Sequence, residues 1–108
     1  MTWTRLCGVA DLPQGGARVF TVGGTTLAAA RSGSAVFVLE NRCSHDDGPL
    51  GEGRLANNGR EIECPRHGAR FDLATGRATR MPAVSAIEAF PAKVAGDDVL
   101  VDLPEGFA

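Results

Sequence analysis

Nearly all the cysteine and histidine side chains of this sequence lie in two short, similarly arranged stretches. The first, NRCSHDDGPLGEG (residues 41–53), contains Cys43 and His45; the second, IECPRHGARFD (residues 62–72), contains Cys64 and His67. The chain has three cysteines and two histidines, so only one cysteine lies elsewhere. Thiolate and imidazole are typical ligands of transition metals. The pattern therefore indicates a metal centre that draws its ligands equally from two segments.

Three interpretations of these four residues are open. Chance placement explains a lone cysteine or histidine well, but it explains two matching Cys/His loops poorly. Structural zinc usually takes two neighbouring cysteines followed by two neighbouring histidines, whereas here each loop supplies one of each, and a single residue separates Cys43 from His45. A [2Fe–2S] unit has an iron at each end, and each iron needs two protein ligands. Two loops that each place a Cys on one iron and a His on the other satisfy that need.

The sequence around the four residues resembles that of a known family. CSHDDG and CPRHG resemble the two halves of the Rieske motif, and CPRHGARFDLATGRA is similar to the small Rieske ferredoxins of ring-hydroxylating dioxygenases. The likeness continues into AFPAKVAGDDVLVDL (residues 89–103). The resemblance implies one [2Fe–2S] cluster per chain, with Cys43 and Cys64 on the inner iron and His45 and His67 on the outer iron.

The mixed ligand set bears on the reduction potential of such a cluster. With two thiolates and two neutral imidazoles the oxidised unit carries no net charge, so it accepts an electron more readily than an all-cysteine unit does. Rieske centres lie at about −150 to +300 mV, against about −400 mV for plant-type ferredoxins. High-potential members of the family join the two loops by a disulfide, but the matching residues here are Gly48 and Arg66, and the chain has no tyrosine to donate to a cluster sulfur. We expect a potential at the low end of the range.

The elements that must position the ligands read as β-strands. ARVFTV (17–22) and TTLAAAR (25–31) flank a Gly23-Gly24 hairpin turn, and AVFVLEN (35–41) is a buried strand that runs into Cys43. EAFPAKVAGDDVLVDL (88–103) predicts a second hairpin around AGDD, with Pro91 at a sheet edge or bulge. GVADLPQG (8–15) has room for one short helical turn. The pattern predicts an all-β protein.

Between these strands the composition changes to short, loop-rich segments. We expect one domain over residues 1–108, with a β base (about 1–40 and 82–108) and a cluster-binding insertion (about 41–81). In family terms this is the Rieske [2Fe–2S] fold, an antiparallel β-sandwich or barrel base carrying a loop-rich subdomain. Within the insertion, REIEC (60–64) and ARFDL (69–73) read as short strands, and FDLATGR predicts a hairpin with Gly76 in the left-handed region.

The sequence also predicts roles for single residues in and around the two loops. We expect Gly48 and Gly68 to allow close backbone approach to the cluster and Gly53 to form a turn. The Pro82 segment, RMPAV, resembles the family's third loop, which covers the cluster. Cys7 is expected to be a small buried hydrophobe. Part of the charge around the loops is expected to form a docking rim for a redox partner: Arg42, Asp46, Asp47, Arg66 and Arg70.

Charge and cysteine content exclude some classes of partner and compartment. A net charge of −2 and a pI near 5.6 argue against nucleic acid or an anionic membrane as a partner. The sequence shows no signal peptide and no apolar run long enough to span a membrane. Three cysteines do not make a fully paired disulfide set, so a reducing cytoplasm is expected.

The family resemblance implies a function as a soluble one-electron carrier. The chain would take electrons from an NAD(P)H-dependent flavoprotein reductase and pass them to a terminal aromatic ring-hydroxylating oxygenase, as a monomer with transient partners. It is not expected to be an enzyme, because both histidines are used as cluster ligands and none is left as a base or for a mononuclear iron. Two alternatives remain open: the small Rieske subunit of an NAD(P)H nitrite reductase, and a cluster-biogenesis or redox-sensing module.

Overall fold

The structure, a computed structural model, describes residues 2–43 and 48–104. Within them the regular structure is almost entirely β, as predicted, with one short 3₁₀ helix at Val9–Asp11. The strands are β1 (Thr2–Gly8), β2 (Gly16–Val22), β3 (Thr25–Ser32), β4 (Ala35–Glu40), β5 (Arg54–Ala56), β6 (Glu61–Glu63), β7 (Arg70–Asp72), β8 (Ala78–Arg80), β9 (Ala89–Phe90), β10 (Ala92–Ala95) and β11 (Asp98–Leu103).

The strands form three antiparallel sheets. The two base sheets, ordered β1-β11-β10 and β2-β3-β4-β9, combine strands from both ends of the chain. The third, ordered β5-β6-β7-β8, uses four consecutive strands, and we call it the cluster sheet because the segments with Cys43 and Cys64 adjoin it. Local strand pairing therefore builds the cluster sheet, whereas distant segments must meet to build the base.

Turn residues account for the hairpins and for the division between the base sheets. Gly23 and Gly96 have positive φ values of 61° and 62° in the β2–β3 and β10–β11 turns, a conformation that glycine adopts without strain. Pro91 separates β9, which pairs with β4, from β10, which pairs with β11. The chain thus passes from one base sheet to the other at Pro91 and continues as an edge strand, in agreement with the edge position predicted from the missing proline N–H.

Two strands of the cluster sheet were not predicted from the sequence. β5 (RLA) and β8 (ATR) lack the pattern of β6 (EIE) and β7 (RFD), in which an Ile or a Phe stands between two charged residues. Each pairs with a strand that was predicted, β6 or β7, so pairing between strands defines them.

The apolar side chains form two separate buried clusters. One fills the base and includes Cys7, Leu27, Val99 and Val101. The other lies beneath the cluster sheet and joins it to the base through Ala30 and Leu39; its members are Ala30, Leu39, Cys43, Leu50, Ile62, Cys64, Ala69, Phe71, Leu73, Ala83 and Ile87. The three cysteines are therefore divided, with Cys7 in the base cluster as a buried hydrophobe, as predicted, and the other two together beneath the cluster sheet.

Candidate metal centre

The Cys43 segment is held at its entrance and exit by the side chain of Asn41. Strand β4 ends at Glu40, and Asn41 Oδ1 then accepts hydrogen bonds from the backbone N–H groups of Leu50 (2.8 Å) and Gly51 (2.6 Å). The Cys43 N–H donates to the carbonyl of Gly48 (2.8 Å). These bonds fix Cys43 where β4 delivers it, on the side of the loop that faces the core.

The Cys64 segment is a tight connection between β6 and β7. The Cys64 N–H donates to the carbonyl of Ala69 (2.7 Å), and the Gly68 N–H donates back to the carbonyl of Cys64 (3.1 Å). Gly68 has φ +77°, and a Cβ built on it meets no described atom within 4 Å. The left-handed backbone by itself calls for glycine here. For Gly48 and Gly68, close backbone approach to the cluster stays a prediction.

Burial separates the candidate ligands into an inner pair and an outer member. Cys43 and Cys64 are 0% and 1% exposed and belong to the same apolar cluster, whereas His67, three residues beyond Cys64, is exposed. His45 lies outside the described residues, and residues 2–43 and 48–104 contain no group of three His, Cys, Asp or Glu side chains placed to hold one metal ion. Two interior thiols and a surface imidazole fit the inner and outer ends of a [2Fe–2S] unit.

A third segment, residues 81–88, packs on the core that contains the two thiols. Its Ala83 and Ile87 belong to the same buried cluster as Cys43 and Cys64, while Met81 and Val84 are largely exposed. The Ile87 N–H donates to the carbonyl of Gly76 (2.9 Å), which ties the segment to the β7–β8 turn. This position supports the expectation that the Pro82 segment covers the cluster.

The predicted left-handed glycine of that β7–β8 turn is confirmed. Gly76 has φ +78°, and a Cβ on it would collide with the carbonyl oxygen of Ile87. Here both the backbone conformation and the close packing against the third segment require glycine.

Four charged residues on the outer face of the cluster sheet form a row next to Cys64. Glu63, the residue before Cys64, is paired across strands with Arg54 and Arg70, and Arg70 is paired with Arg80. The Arg70 Nε donates to Glu63 Oε1 (2.9 Å), while Arg54 and Arg80 approach the same carboxylate at 3.5 Å and 3.9 Å. The hydrogen bond from Arg70, reinforced by the charges of the other two guanidinium groups, holds the pKa of Glu63 below its usual value.

This row shows which charged residues sequence reasoning missed. Arg70 was among the residues expected at a docking rim, but Arg54, Glu63 and Arg80 were not, because they become neighbours only through the register of four strands. The sequence alone does not show that these charged residues are neighbours; that follows only from the register of the strands. Arg66 is exposed, Arg42 forms an ion pair with Glu40 (3.3 Å), and Asp46 and Asp47 lie outside the described residues.

Comparisons with known proteins agree with the site and the fold. The Rieske [2Fe–2S] domain family matches residues 2–91, so the chain belongs to this family. The ferredoxin subunit of 3-phenylpropionate/cinnamic acid dioxygenase from Escherichia coli strain K12 is 38% identical over 100 residues, which are 92% of each chain.

Solved structures give the same assignment. The ferredoxin of carbazole 1,9a-dioxygenase from Nocardioides aromaticivorans IC177 superposes with a TM-score of 0.86 at 35% identity, over 94% of this chain and 97% of that one. A chain in the complex of reduced oxygenase and oxidised ferredoxin in carbazole 1,9a-dioxygenase superposes with a TM-score of 0.81 at 33% identity, over 92% and 91%.

These findings confirm the predicted family, fold and cofactor. The chain is a ferredoxin of the type found in ring-hydroxylating dioxygenase systems, a one-electron carrier with a Rieske [2Fe–2S] cluster. The helical structure in the described residues is too short to cross a bilayer.

Proposed function

We propose that Cys43, His45, Cys64 and His67 hold the cluster, and that the chain passes single electrons from an NAD(P)H-dependent flavoprotein reductase to a terminal ring-hydroxylating oxygenase. The observation that carries the assignment of ligands is the burial contrast within the site. The thiols of Cys43 and Cys64 lie in one apolar core, and His67 lies at the surface above them. His45 joins the set because its place beside Cys43 in sequence matches the Rieske pattern.

The protein's contribution follows from where these groups lie. When bound, the cluster accepts and releases one electron. The core around Cys43 and Cys64 keeps water away from the thiolates, and the backbone hydrogen bonds of both loops keep their positions unchanged as the charge changes. The exposed His67 places one edge of the site at the surface, where a partner can approach closely.

The proposed partners rest on the relatives and on the need for rapid exchange. A carbazole 1,9a-dioxygenase ferredoxin forms a complex with its oxygenase, which supports an oxygenase as the acceptor for this chain. A flavoprotein reductase as donor, a monomeric state and a cytoplasmic location complete the proposal. Small, transient contacts suit a carrier that must leave each partner, and the three cysteines, all within the described residues, form no disulfide.

The ligand assignment is tested by anaerobic purification with iron and sulfide analysis. We expect about two irons and two sulfides per chain, with uptake of one electron in a reductive titration followed by visible absorption. His67→Ala and His45→Ala should each change the absorption of the cluster or abolish it. Protein that holds zinc without sulfide, or histidine variants with unaltered spectra, would refute the assignment.

The carrier role is tested with a flavoprotein reductase and a ring-hydroxylating oxygenase from the organism that encodes this chain. NAD(P)H and a catalytic amount of reductase should bleach the oxidised chain, and the oxygenase should restore the colour. An intact cluster that exchanges electrons with neither protein would reject these partners while leaving the ligands in place. Sedimentation of the loaded protein gives the oligomeric state, for which we expect a monomer.

A further inference from the structure

The arginine row on the cluster sheet concentrates positive charge beside the proposed electron-transfer site. Arg54, Glu63, Arg70 and Arg80 form one cross-strand row, and we keep the name arginine row for these four. Two members of the row adjoin the Cys64 segment. Glu63 immediately precedes Cys64, and Arg70 immediately follows Ala69, whose carbonyl accepts the Cys64 N–H. Three guanidinium groups and one carboxylate leave an excess of two positive charges, although the whole chain carries −2.

Glu63 organises the row without neutralising it. Its side chain is only 14% exposed, and its strongest bond is to Arg70, which is also largely covered. The side chains of Arg54 and Arg80 are 82% and 58% exposed and stand farther from the carboxylate. Each of these two guanidinium groups therefore retains N–H donors accessible to solvent while lying within ion-pair distance of the central carboxylate.

Negatively charged residues adjoin the arginine row on the same face of the cluster sheet and limit the area of positive charge. The next row on the same face of the sheet contains Glu61 and Asp72, which are cross-strand partners. Asp46 and Asp47 are near the site in sequence and lie outside the described residues. The outer face of the cluster sheet is thus divided, with its positive row nearest Cys64 and its negative row one step farther away.

We propose that the arginine row is a docking surface for a redox partner that presents carboxylates around its own electron-entry site. This inference rests on the proposed carrier function and adds the chemistry of the partner's surface. Arginine binds carboxylates through paired N–H donors, and the exposed guanidinium groups of Arg54 and Arg80 have such donors available. Opposite charges beside the redox centres speed association and orient it.

Small charged oxidants test the sign of this local field. Reduced protein is mixed rapidly with hexacyanoferrate(III), an anion, or with tris(phenanthroline)cobalt(III), a cation. Salt is raised from about 0.01 M to about 0.1 M, which shortens the screening length from about 30 Å to about 10 Å. The net charge of the protein predicts that the rate with the anion rises with salt. The arginine row predicts that it falls, with the opposite trend for the cation.

Matched double variants locate the effect. Arg54→Gln with Arg80→Gln removes two charges from the row, and Arg5→Gln with Lys93→Gln removes two exposed charges from a base sheet. At low salt the first pair should slow oxidation by hexacyanoferrate(III) roughly three- to tenfold, and the second should have a much smaller effect. Poly-L-glutamate, a carboxylate-bearing polymer, should compete with the anion in wild type and lose this effect in the Arg54/Arg80 variant.

The outcomes separate this inference from the carrier function. A rate with the anion that rises with salt in wild type, equal slowing by both double variants, or competition by poly-L-glutamate that survives loss of Arg54 and Arg80 would overturn the docking surface. Fast electron exchange with the cobalt complex in those same experiments would still leave the protein a competent carrier. Absence of exchange with either oxidant, despite a full cluster, would contradict the carrier function itself.

Discussion

At the scale of single residues, the three cysteines share burial but differ in surroundings. Cys7 lies in the base cluster, where burial raises the pKa of its thiol, so it remains a protonated, apolar group near neutral pH. Cys43 and Cys64 lie together beneath the cluster sheet at the ends of two structured segments. Position in the fold, rather than exposure, therefore separates the proposed ligands from the structural cysteine.

This difference predicts the result of removing each thiol. Cys43→Ser and Cys64→Ser should each abolish cluster assembly, whereas Cys7→Ala should retain about two irons and two sulfides per chain and lose about 1 kcal/mol of stability. Iron and sulfide analysis after anaerobic purification, with thermal unfolding of the same samples, measures both effects. Loss of the cluster in Cys7→Ala protein that is still folded would contradict this division.

Glu63 predicts a pH-dependent contribution to stability. Its pKa is lowered in the folded protein, so its contribution is full above the unfolded carboxyl pKa of about 4.3 and is lost as the pH falls through the lower folded value. Glu63→Gln should therefore lower Tm more at pH 7 than at pH 4. Glu61→Gln, on the same strand but opposite Asp72, is the matched control. A deficit in Tm for Glu63→Gln that does not shrink at pH 4 would count against this account.

At the scale of elements, close packing between backbones sets the position of the Cys64 segment. Gly53 lies just before β5, and a Cβ placed on it would collide with the carbonyl oxygen of Glu63, the residue before Cys64. Its own N–H donates to the carbonyl of Leu50 (2.9 Å), so it also forms the turn predicted from the sequence. The exit of the first loop and the start of the second are thus in direct contact.

Gly53→Ala should consequently disturb both loops. Because the neighbouring atoms are backbone, we expect a loss of about 1–3 kcal/mol in the free energy of unfolding, together with faster loss of the cluster's visible absorption in air. Gly24→Ala is the control, since a Cβ there meets no described atom within 4 Å, and it should change stability by about 0.5 kcal/mol or less. Similar behaviour of the two variants would show that the contact with Glu63 is unimportant.

At the scale of the whole molecule, the two proposed cysteine ligands come from different parts of the fold, one from a base sheet and one from the cluster sheet. Cys43 follows β4 of a base sheet, and Cys64 follows β6 of the cluster sheet. The cluster sheet consists of four three-residue strands, and its core contacts the base through side chains that include Ala30 and Leu39. We therefore expect binding of the cluster by these residues to be coupled to folding of the cluster sheet.

Removal of the cluster should loosen the cluster sheet first. In protein stripped by chelator and reductant, the amides of β6 and β7 should exchange with deuterium at least about tenfold faster than in the loaded protein, and those of β3 and β11 should change much less. Hydrogen exchange followed by mass spectrometry makes the comparison. Uniform acceleration across both base sheets and the cluster sheet would mean that the protein unfolds as one unit when the cluster is lost.

Much of the fold and the candidate ligands could be predicted because their signals are local. Strands β2, β3, β4 and β11 showed alternation or continuous apolar runs, and the two Cys/His stretches have a spacing specific to one kind of centre. The strands β5 and β8 were missed because, unlike β6 and β7, they have no Ile or Phe between two charged residues. The positive φ of Gly68 was also not predicted, because a left-handed residue between two strands depends on the exact turn that joins them.

The types of the proposed ligands and their order along the chain were determined by the amino-acid sequence alone, because the thiol and the imidazole are supplied by the side chains themselves. Only the tertiary structure decided that Cys43 and Cys64 share one buried core while Cys7 lies in another, and that Arg54, Glu63, Arg70 and Arg80 form one row. Burial and charge adjacency depend on strand register and sheet packing, which bring together residues that are distant in sequence.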